Sequence, residues 1–271
     1  MSTDLETSTE STKYELAVTG TGGNLGEIWS EEMSGFDLSF DRVKVPAGGG
    51  LSWEVPGDDP NRPGQLAELV GVIVDHHPIS SLWLNPFTGD NQPPDAYSLD
   101  GKVQVLTDAA REAGALEDLA SCPFNQWGSA HLVGGAGGGK ATKNMHRIYL
   151  LGSGEAFPWQ VTLPPTSVKA FGDFLGKRIV AKSRRSTDVV VSIGLVRDVS
   201  KGGITYSKAT FQVLVDLDPV QVAAVREYAA SIRTHSRSVA VADDEYGVTA
   251  PNPATATAVT SSVADDDDIP F

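Results

Sequence analysis

The chain has 271 residues, a formal net charge of −14 and a single cysteine. No stretch approaches the roughly 20 apolar residues that span a bilayer, and the N-terminus lacks the basic start and apolar run of a signal peptide. Cys122 alone excludes an intrachain disulfide and would need dispersed histidines to complete a zinc site. We therefore expect a cytoplasmic protein with no membrane contact, no metal and no other cofactor.

The charges are separated along the chain. Between Lys140 and Lys208 there are twelve basic and four acidic residues, a net charge of +8, so the rest of the chain carries −22. From Val239 to Phe271 there are seven acidic residues and no lysine or arginine. Proteins bind DNA largely by neutralising phosphates with Lys and Arg, so the central segment suits a nucleic-acid partner although the whole chain is acidic.

The first half is predicted to consist of a disordered start followed by strands. Residues 1–13 are rich in Ser, Thr and acidic side chains and contain too few apolar groups to order themselves. FDLSFDRVKV alternates at Phe36, Leu38 and Phe40, as half-buried strands do, and LAELVGVIV is typical of a buried strand. Residues 104–120 are a candidate helix.

VDHHP at residues 74–78 is similar to the Asp-His-His motif of a phosphoesterase superfamily that includes single-strand exonucleases. Two-metal catalysis needs further Asp and His clusters at strand ends, and the remaining histidines, His131, His146 and His235, are dispersed. The interpretation as an ordinary strand end is therefore favoured over a metal-dependent nuclease.

Two loop segments carry aromatic residues. Trp83 lies in a segment rich in Pro, Gly and Asn, and SCPFNQWGSA places Phe124 and Trp127 beside Asn125 and Gln126. Binding residues concentrate on loops, and exposed aromatic rings stack on the bases of single strands. The sequence leaves both roles open for these rings, as core or as stacking platform.

GGAGGGKAT at residues 134–142 nearly matches the phosphate-binding loop G-x-x-x-x-G-K-[ST], with Gly134, Gly139 and Lys140 in place. Position 141 is alanine instead of the hydroxyl residue that holds Mg²⁺. The following NMHRIYLL has a strand pattern, whereas the phosphate-binding loop precedes a helix. A P-loop-like nucleotide-binding enzyme acting on DNA is kept as the alternative to a flexible loop that closes over a DNA backbone.

The second half is predicted to add strands at MHRIYLL and WQVTLP, two helices and a long hairpin. PPTSVKAFGDFLGKRIV has Thr166 or Ser167 as a possible N-cap, and DPVQVAAVREYAASIR has Asp218 as N-cap and Pro219 at the first helical position. TDVVVSIGLVRDVS and ITYSKATFQVLVDLD pair around a turn at Lys201–Gly203.

These elements predict one mainly β domain of the α+β class over residues 14–235, an OB-fold-like antiparallel barrel with helical insertions. Residues 236–264 are dominated by Ala, Thr, Val, Ser and Pro and are predicted to be a disordered linker. Residues 265–271 form an acidic tip with an apolar end.

The tip, DDDDIPF, closely resembles the C-terminal tip of bacterial single-stranded DNA-binding proteins, over seven residues only. The body is similar to a group of phage-encoded proteins through five short stretches, namely Asp75–Pro78, Pro93–Asp95, Cys122–Ser129, Gly139–Asn144 and Leu163–Ser167. Relatives in that group carry further cysteines near the positions of Ala96 and Thr142. The resemblance implies that a zinc site built there would be missing in this chain.

The resemblance implies a phage single-stranded DNA-binding protein that protects single strands in DNA replication, recombination or repair inside the bacterial host cell. It is then not an enzyme, and a homo-oligomer is compatible with the sequence. The candidate DNA contacts are Lys140, Lys143, Arg147, Lys177, Arg178, Lys182, Arg184, Arg185, Arg197, Lys201, Lys208, Trp127, Phe124, Trp83 and Tyr149. Replication and recombination proteins would bind the tip residues Asp265, Asp266, Asp267, Asp268, Ile269, Pro270 and Phe271.

Overall fold

The computed structural model describes residues 14–16, 32, 39–57, 59, 62–85, 93–135, 138–200 and 203–241. The strands are β1 (Arg42–Lys44), β2 (Trp53–Val55), β3 (Gly64–Leu66), β4 (Leu69–Leu82), β5 (Ala96–Ser98), β6 (Val105–Leu106), β7 (Lys143–Gly152), β8 (Trp159–Leu163), β9 (Val189–Val199) and β10 (Thr205–Asp216). The α-helices are α1 (Asp108–Glu112), α2 (Pro165–Phe174) and α3 (Pro219–Ser236). The prediction of a mainly β chain with a few helices is confirmed.

The ten strands of the described residues form one open mixed sheet in the order β10-β9-β4-β7-β8-β1-β2-β3, with β5 paired to β4 and β6 paired to β5. Strands β1 and β8 are parallel, and the other pairs are antiparallel. Side chains of the β9–β10 hairpin reach the loop between β1 and β2. Arg197 Nε donates to the Gly49 carbonyl at 3.0 Å, and Ser207 Oγ donates to that of Gly50 at 2.8 Å. The sheet therefore curves until its two halves touch.

Each face of the central strands is covered by one helix. On one face, α2 packs Phe171 and Phe174 onto a cluster that includes Trp53, Ile73 and Ile193. On the opposite face, α3 contributes the buried residues Val225, Ala229 and Ile232 to a second cluster. Strands β4, β7 and β9 supply residues to both clusters, which explains their nearly continuous apolar sequences.

A β-bulge in β4 decides which residues face which helix. Ile73 pairs with Leu150 and Asp75 with Tyr149, so Val74 is the extra residue. Before the bulge, Val72 faces α3 and Ile73 faces α2. After it, Asp75 contacts α3 through Ser236, and His76 contacts Phe171 of α2. The bulge thereby places a carboxylate under α3 and an imidazole under α2.

The predicted helices are confirmed with changed boundaries. Asp218 caps α3 as predicted and accepts hydrogen bonds from the backbone N–H groups of Val220 and Gln221. The N-cap of α2 is Pro164, because Ser167 is buried and its Oγ accepts from the Ala209 N–H. Of residues 104–120, only α1 is α-helical, since the chain turns at Gly114 with φ of 91°.

The segment after α2 is irregular. It continues as a π-helix over Leu175–Ile179 and a 3₁₀ turn over Val180–Lys182, and it ends at Ser183 in the left-handed region with φ of 55°. Single π turns inside helices are frequent at functional sites. This segment carries Arg178 and Lys182, two of the candidate DNA contacts.

The strand predictions for LAELVGVIV, MHRIYLL and WQVTLP and the β9–β10 hairpin are confirmed. Phe36 and Leu38 lie outside the described residues, as do residues 1–13 and 242–271. Packed chain extends to the buried Val241, beyond the predicted domain end at residue 235. Among the described helices, none is both long and apolar enough to cross a membrane.

Candidate nucleic-acid interface

The described residues between β4 and β7, 83–85, 93–135 and 138–142, form a small unit attached to the end of the sheet, which we call the insertion. It contains β5, β6, α1 and two 3₁₀ turns, Pro123–Asn125 and Ser129–Val133. Its own cluster of buried side chains consists of Leu82, Ala96, Leu106, Ala110, Ala115, Cys122, Phe124 and Ala141. The insertion therefore has a packed centre that can hold surface groups in place.

Trp127 is the most exposed aromatic ring that the described residues include. Its side chain lies between the two 3₁₀ turns and is 82% exposed. Lys140 Nζ lies 5.8 Å from the centre of the ring, within cation–π range. The sequence left open whether Trp127 is core, and the structure decides for the surface. An exposed aromatic face beside an ammonium group can stack a base and meet the adjoining phosphate.

Asn125 holds Lys140 in this position. Its Oδ1 accepts from Lys140 Nζ at 3.3 Å and from Asn144 Nδ2 at 2.8 Å, while its own Nδ2 donates to the Leu119 carbonyl at 2.8 Å. The amide is buried, and both of its ends are used. Asn125 thus connects the aromatic segment, the Gly-rich loop and the first residues of β7. From the sequence, Asn125 was noted only as a polar neighbour of Trp127, and its role in positioning Lys140 was missed.

The Gly-rich loop is fastened at its second half. Ala130 N–H donates to the Gly139 carbonyl at 3.0 Å, and Ala141 N–H donates to Ser129 Oγ at 2.9 Å. The loop then enters β7, a strand, as the sequence predicted. No helix N-terminus follows Lys140 here, so the loop lacks the aligned amides with which a phosphate-binding loop holds a nucleotide.

Lys143 places a second ammonium group close to Lys140. It is the first residue of β7, and its Nζ donates to the Lys140 carbonyl at 3.4 Å. The side chain is half-buried, and this burial lowers the pKa of the ammonium group. Trp127, Lys140 and Lys143, braced by Asn125, are called the platform below.

Three candidate DNA contacts are buried and cannot face a ligand in this structure. Arg147 is fully buried and donates to the carbonyls of Val239 and Ala240 at 2.6 and 2.7 Å. Tyr149 is fully buried, and its hydroxyl donates to the Ser236 carbonyl at 2.5 Å. Phe124 belongs to the centre of the insertion. Their prediction as DNA contacts is corrected, since all three serve packing. Trp83 follows β4 and is half-buried.

A second group of candidates lies along β10. Arg178, Lys182 and Arg184 line a groove of about 500 Å³ together with Phe211–Asp216. Arg178 and Lys182 are exposed on the irregular segment after α2, whereas Arg184 is paired with Asp216. The structure therefore brings three of the predicted cations to one surface.

The remaining candidates are scattered. Lys177 and Lys208 lie beside Asp173 and Asp198, at 3.9 and 3.3 Å, and Arg197 binds the Gly49 carbonyl. Arg185 is exposed, and Lys201 lies outside the described residues. Nearby acids reduce the attraction of Lys177 and Lys208 for phosphate, so these two are weaker candidates than the platform.

The Asp-His-His stretch is structural. Arg237 holds Asp75 through two hydrogen bonds, at 3.1 and 3.0 Å, and Ser236 Oγ donates a third at 2.8 Å. Burial acts to raise the pKa of Asp75, but these hydrogen bonds outweigh it and hold the pKa below its usual value. Among the described residues, no three His, Cys, Asp or Glu side chains are grouped to hold a metal ion.

His76 and His146 form a half-buried pair beneath α2. His76 Nδ1 and His146 Nε2 are 3.0 Å apart, and both rings contact Phe171. Partial burial lowers the pKa of both residues, that of His146 to about 3, and each imidazole is therefore neutral at pH 7. The pair packs against the core residue Phe171 and carries no charge toward a ligand.

Comparisons with protein-family models, with curated proteins and with solved structures found no match to this chain.

Proposed function

We propose that the chain is a single-stranded DNA-binding protein whose platform stacks a base on Trp127 and meets phosphates with Lys140 and Lys143. The observation that carries this proposal is the 82% exposed indole with a lysine held over it by a buried asparagine. An exposed indole is available for stacking on a base, and the bracing of Lys140 by Asn125 reduces the entropy lost when the ligand binds.

The charge distribution and the curvature of the sheet also support this function. The +8 segment from Lys140 to Lys208 includes the platform and the β10 groove. We propose that the sheet is an OB-like barrel, in which the contacts of Arg197 and Ser207 with the β1–β2 loop take the place of strand pairing. The single-stranded DNA would lie along this basic surface, and its base sequence would not be recognised.

We further propose that residues 265–271 recruit replication and recombination proteins, as the resemblance of DDDDIPF implies. The protein would act in the bacterial cytoplasm during replication, recombination or repair of phage DNA, and this role includes no catalytic step. Calorimetry of tail peptides against a host protein that binds such tips tests recruitment. Phe271→Ala should abolish binding, and a peptide that binds equally well without the ring would leave only an acidic solubility tail.

The DNA proposal is tested by titrating an end-labelled oligonucleotide of about 40 nucleotides at several salt concentrations, with and without Mg²⁺ and ATP. We expect single strands to bind more tightly than duplex, affinity to fall steeply with salt, and strand length to stay constant. Equal affinity for duplex and single strand would contradict the proposal. Shortened strands with Mg²⁺ would instead reveal a nuclease.

A further inference from the structure

Strand β10 lies at one edge of the sheet, and β9 is its only neighbour among the described strands. Ala209 N–H donates to Ser167 Oγ on α2 at 3.0 Å, so this backbone group points away from β9. Backbone groups of antiparallel strands alternate in direction, so the N–H and C=O groups of Phe211 and Val213 also point outward. No hydrogen bond between described residues uses these groups. The outer edge of β10 therefore offers donors and acceptors to a ligand.

Helix α2 covers this edge only as far as Ala209. The groove lined by β10 begins at Phe211 and ends at Asp216. Leu214 is the extra residue of a β-bulge at which the pairing of β10 with β9 shifts, and its side chain is 47% exposed. Bulges commonly end regular strand pairing, so the accessible edge is short. It fits one extended segment of a few residues.

The irregular segment after α2 supplies cations to this groove. Arg178 lies in the π turn and Lys182 in the 3₁₀ turn that follows, and both side chains are exposed. Within the described part of the chain, neither has a carboxylate partner, whereas Arg184 is paired with Asp216. The strained Ser183 lies between these cations, and strained residues cluster at ligand-binding sites. The groove therefore has two cations available for an anionic ligand.

We propose that the β10 groove binds an extended segment of a partner protein in which acidic and apolar residues alternate. The backbone of the segment pairs with Phe211 and Val213 and extends the sheet by one strand. Side chains alternate between the two faces of a strand, so one set can be acidic and contact Arg178 and Lys182. The other set is apolar and covers Leu214. This partner is additional to the proposed DNA ligand of the platform.

A nucleic acid is a poorer occupant of this groove. Phosphate oxygens only accept hydrogen bonds and cannot use the outward carbonyls, and Asp216 adds a negative charge to the same groove. The groove is also remote from the platform. Through β9, Val215 of the groove is level with Val72 of β4. Lys143 of the platform is level with Ser81, about 30 Å further along the same strand.

A second copy of this chain also fits the groove poorly. The part of β10 that it would contribute, Thr210–Asp216, contains a single acidic residue, and Arg184 already pairs with it. Two copies joined at β10 would therefore meet the exposed cations of the groove with no available carboxylate. Charge complementarity thus favours an acidic segment of another protein.

The first experiment measures the binding of the labelled peptide Glu-Val-Glu-Val-Glu-Val to the full-length protein by fluorescence anisotropy. We expect saturable binding that Arg178→Gln/Lys182→Gln weakens by about 2- to 25-fold, because each exposed charge pair contributes about 1.4- to 5-fold. Lys102→Gln/Arg111→Gln removes the same charge from the insertion and should leave the affinity unchanged. Equal losses in the two variants, or no saturable binding, would overturn the proposal.

The second experiment tests whether the peptide binds as a strand. One peptide is methylated on the backbone nitrogens of its Glu residues and another on those of its Val residues. Backbone groups of alternate residues point to opposite edges of a strand, so only one of these peptides loses the donors that face β10. That peptide should bind about 5- to 150-fold more weakly than the other, through the loss of two hydrogen bonds. Equal affinities would exclude strand pairing and overturn the proposal.

The third experiment changes the edge of β10 itself. Val213→Pro removes an outward N–H group, and Val213→Ala is the matched control for the lost side-chain contacts. Proline is tolerated on edge strands where its nitrogen faces away from the neighbouring strand. We expect the proline variant to bind the peptide about 2- to 10-fold more weakly than the alanine variant, and equal affinities would count against the proposal. If the proline variant does not fold, the methylated peptides decide.

The last experiment separates this groove from the platform and from self-association. An oligo(dT) of about six nucleotides should not displace the peptide, and Trp127→Ala should not change its affinity. Displacement would assign the groove to the DNA path and overturn the proposal. A dimer in sedimentation that Val213→Pro dissociates would assign the edge to a second copy, with the same consequence. If the peptide binds as expected but no oligonucleotide does, the groove proposal stands and the proposed function fails.

Discussion

Trp53 and Trp127 show how differently the sheet and the insertion use the same side chain. Trp53 is fully buried in the sheet, and its Nε1 donates to the Ile193 carbonyl at 3.0 Å. Trp127 exposes 82% of its area and has a lysine over its ring. Both the sheet and the insertion have packed clusters of buried side chains, so poor packing around Trp127 does not explain its exposure. Indole in the sheet stabilises the fold, and indole on the insertion is available to a ligand.

The largest effect is expected from Trp53→Ala. Truncating a buried aromatic ring leaves a cavity and removes the hydrogen bond to the Ile193 carbonyl, and such changes cost about 3–5 kcal/mol. Urea denaturation followed by circular dichroism measures this loss. A cost below about 1 kcal/mol would mean that the sheet does not depend on this ring.

Trp127→Ala should show the opposite pattern. The free energy of unfolding should change by less than about 0.5 kcal/mol, because the ring is exposed. Binding of single-stranded DNA should weaken by about 1–3 kcal/mol through the lost stacking. Fluorescence anisotropy with a labelled oligonucleotide gives the second value. Unfolding of this variant would mean that Trp127 belongs to the core, as Trp53 does.

The pH dependence of the free energy of unfolding tests whether the two histidines of the sheet are neutral. Burial lowers the pKa of His146 to about 3 and also lowers that of His76. Below about pH 6.5 the unfolded chain therefore binds more protons than the folded chain. Stability is then complete above about pH 6.5 and decreases as the pH falls. His146 alone should cost about 2 kcal/mol at pH 5. Urea midpoints at pH 7 and pH 5 measure it.

The exposed His235 supplies the control for that measurement. His235→Gln should keep the pH dependence, because this ring is exposed, whereas His146→Gln should flatten it by removing an imidazole whose pKa burial lowers to about 3. A wild-type midpoint that does not move between the two pH values would contradict the neutral state of the half-buried histidine pair.

The smallest effect concerns single lysines. Lys140→Gln should reduce the slope of log affinity against log salt by about 0.7, the value for one phosphate contact on a single strand. Lys169 is paired with Asp173 at 2.7 Å on α2, and Lys169→Gln should leave the slope unchanged. Equal slopes for the two variants would show that Lys140 contacts phosphate no more than Lys169 does.

Apolar patterning predicted much of the sheet. The strands at LAELVGVIV, MHRIYLL and WQVTLP, the hairpin and the cap at Asp218 all follow from local rules that the structure obeys. The burial of Arg147 and Tyr149 could not be predicted in this way. Both are covered by α3 and the segment after it, a contact between residues about 90 positions apart that has no periodic signal.

The insertion was harder to interpret because its order comes from single hydrogen bonds. Phe124 and Trp127 stand three residues apart in the same polar surroundings, yet a 3₁₀ turn buries the first and exposes the second. In the predicted helix over 104–120, Leu106, Ala110 and Ala115 are all buried, but they belong to a strand, a short helix and a turn. Apolar spacing alone does not distinguish these cases.

The bulge at Val74 gives β4 one residue more than its pairing with β7 uses. Deleting Val74 would join Ile73 directly to Asp75, and the partners of these two residues are already adjacent on β7. Because side chains alternate along a strand, Asp75 would still face Arg237 and His76 would still face Phe171. Loss of this residue would therefore remove a buried valine from the cluster under α3 without exchanging the faces of the later residues.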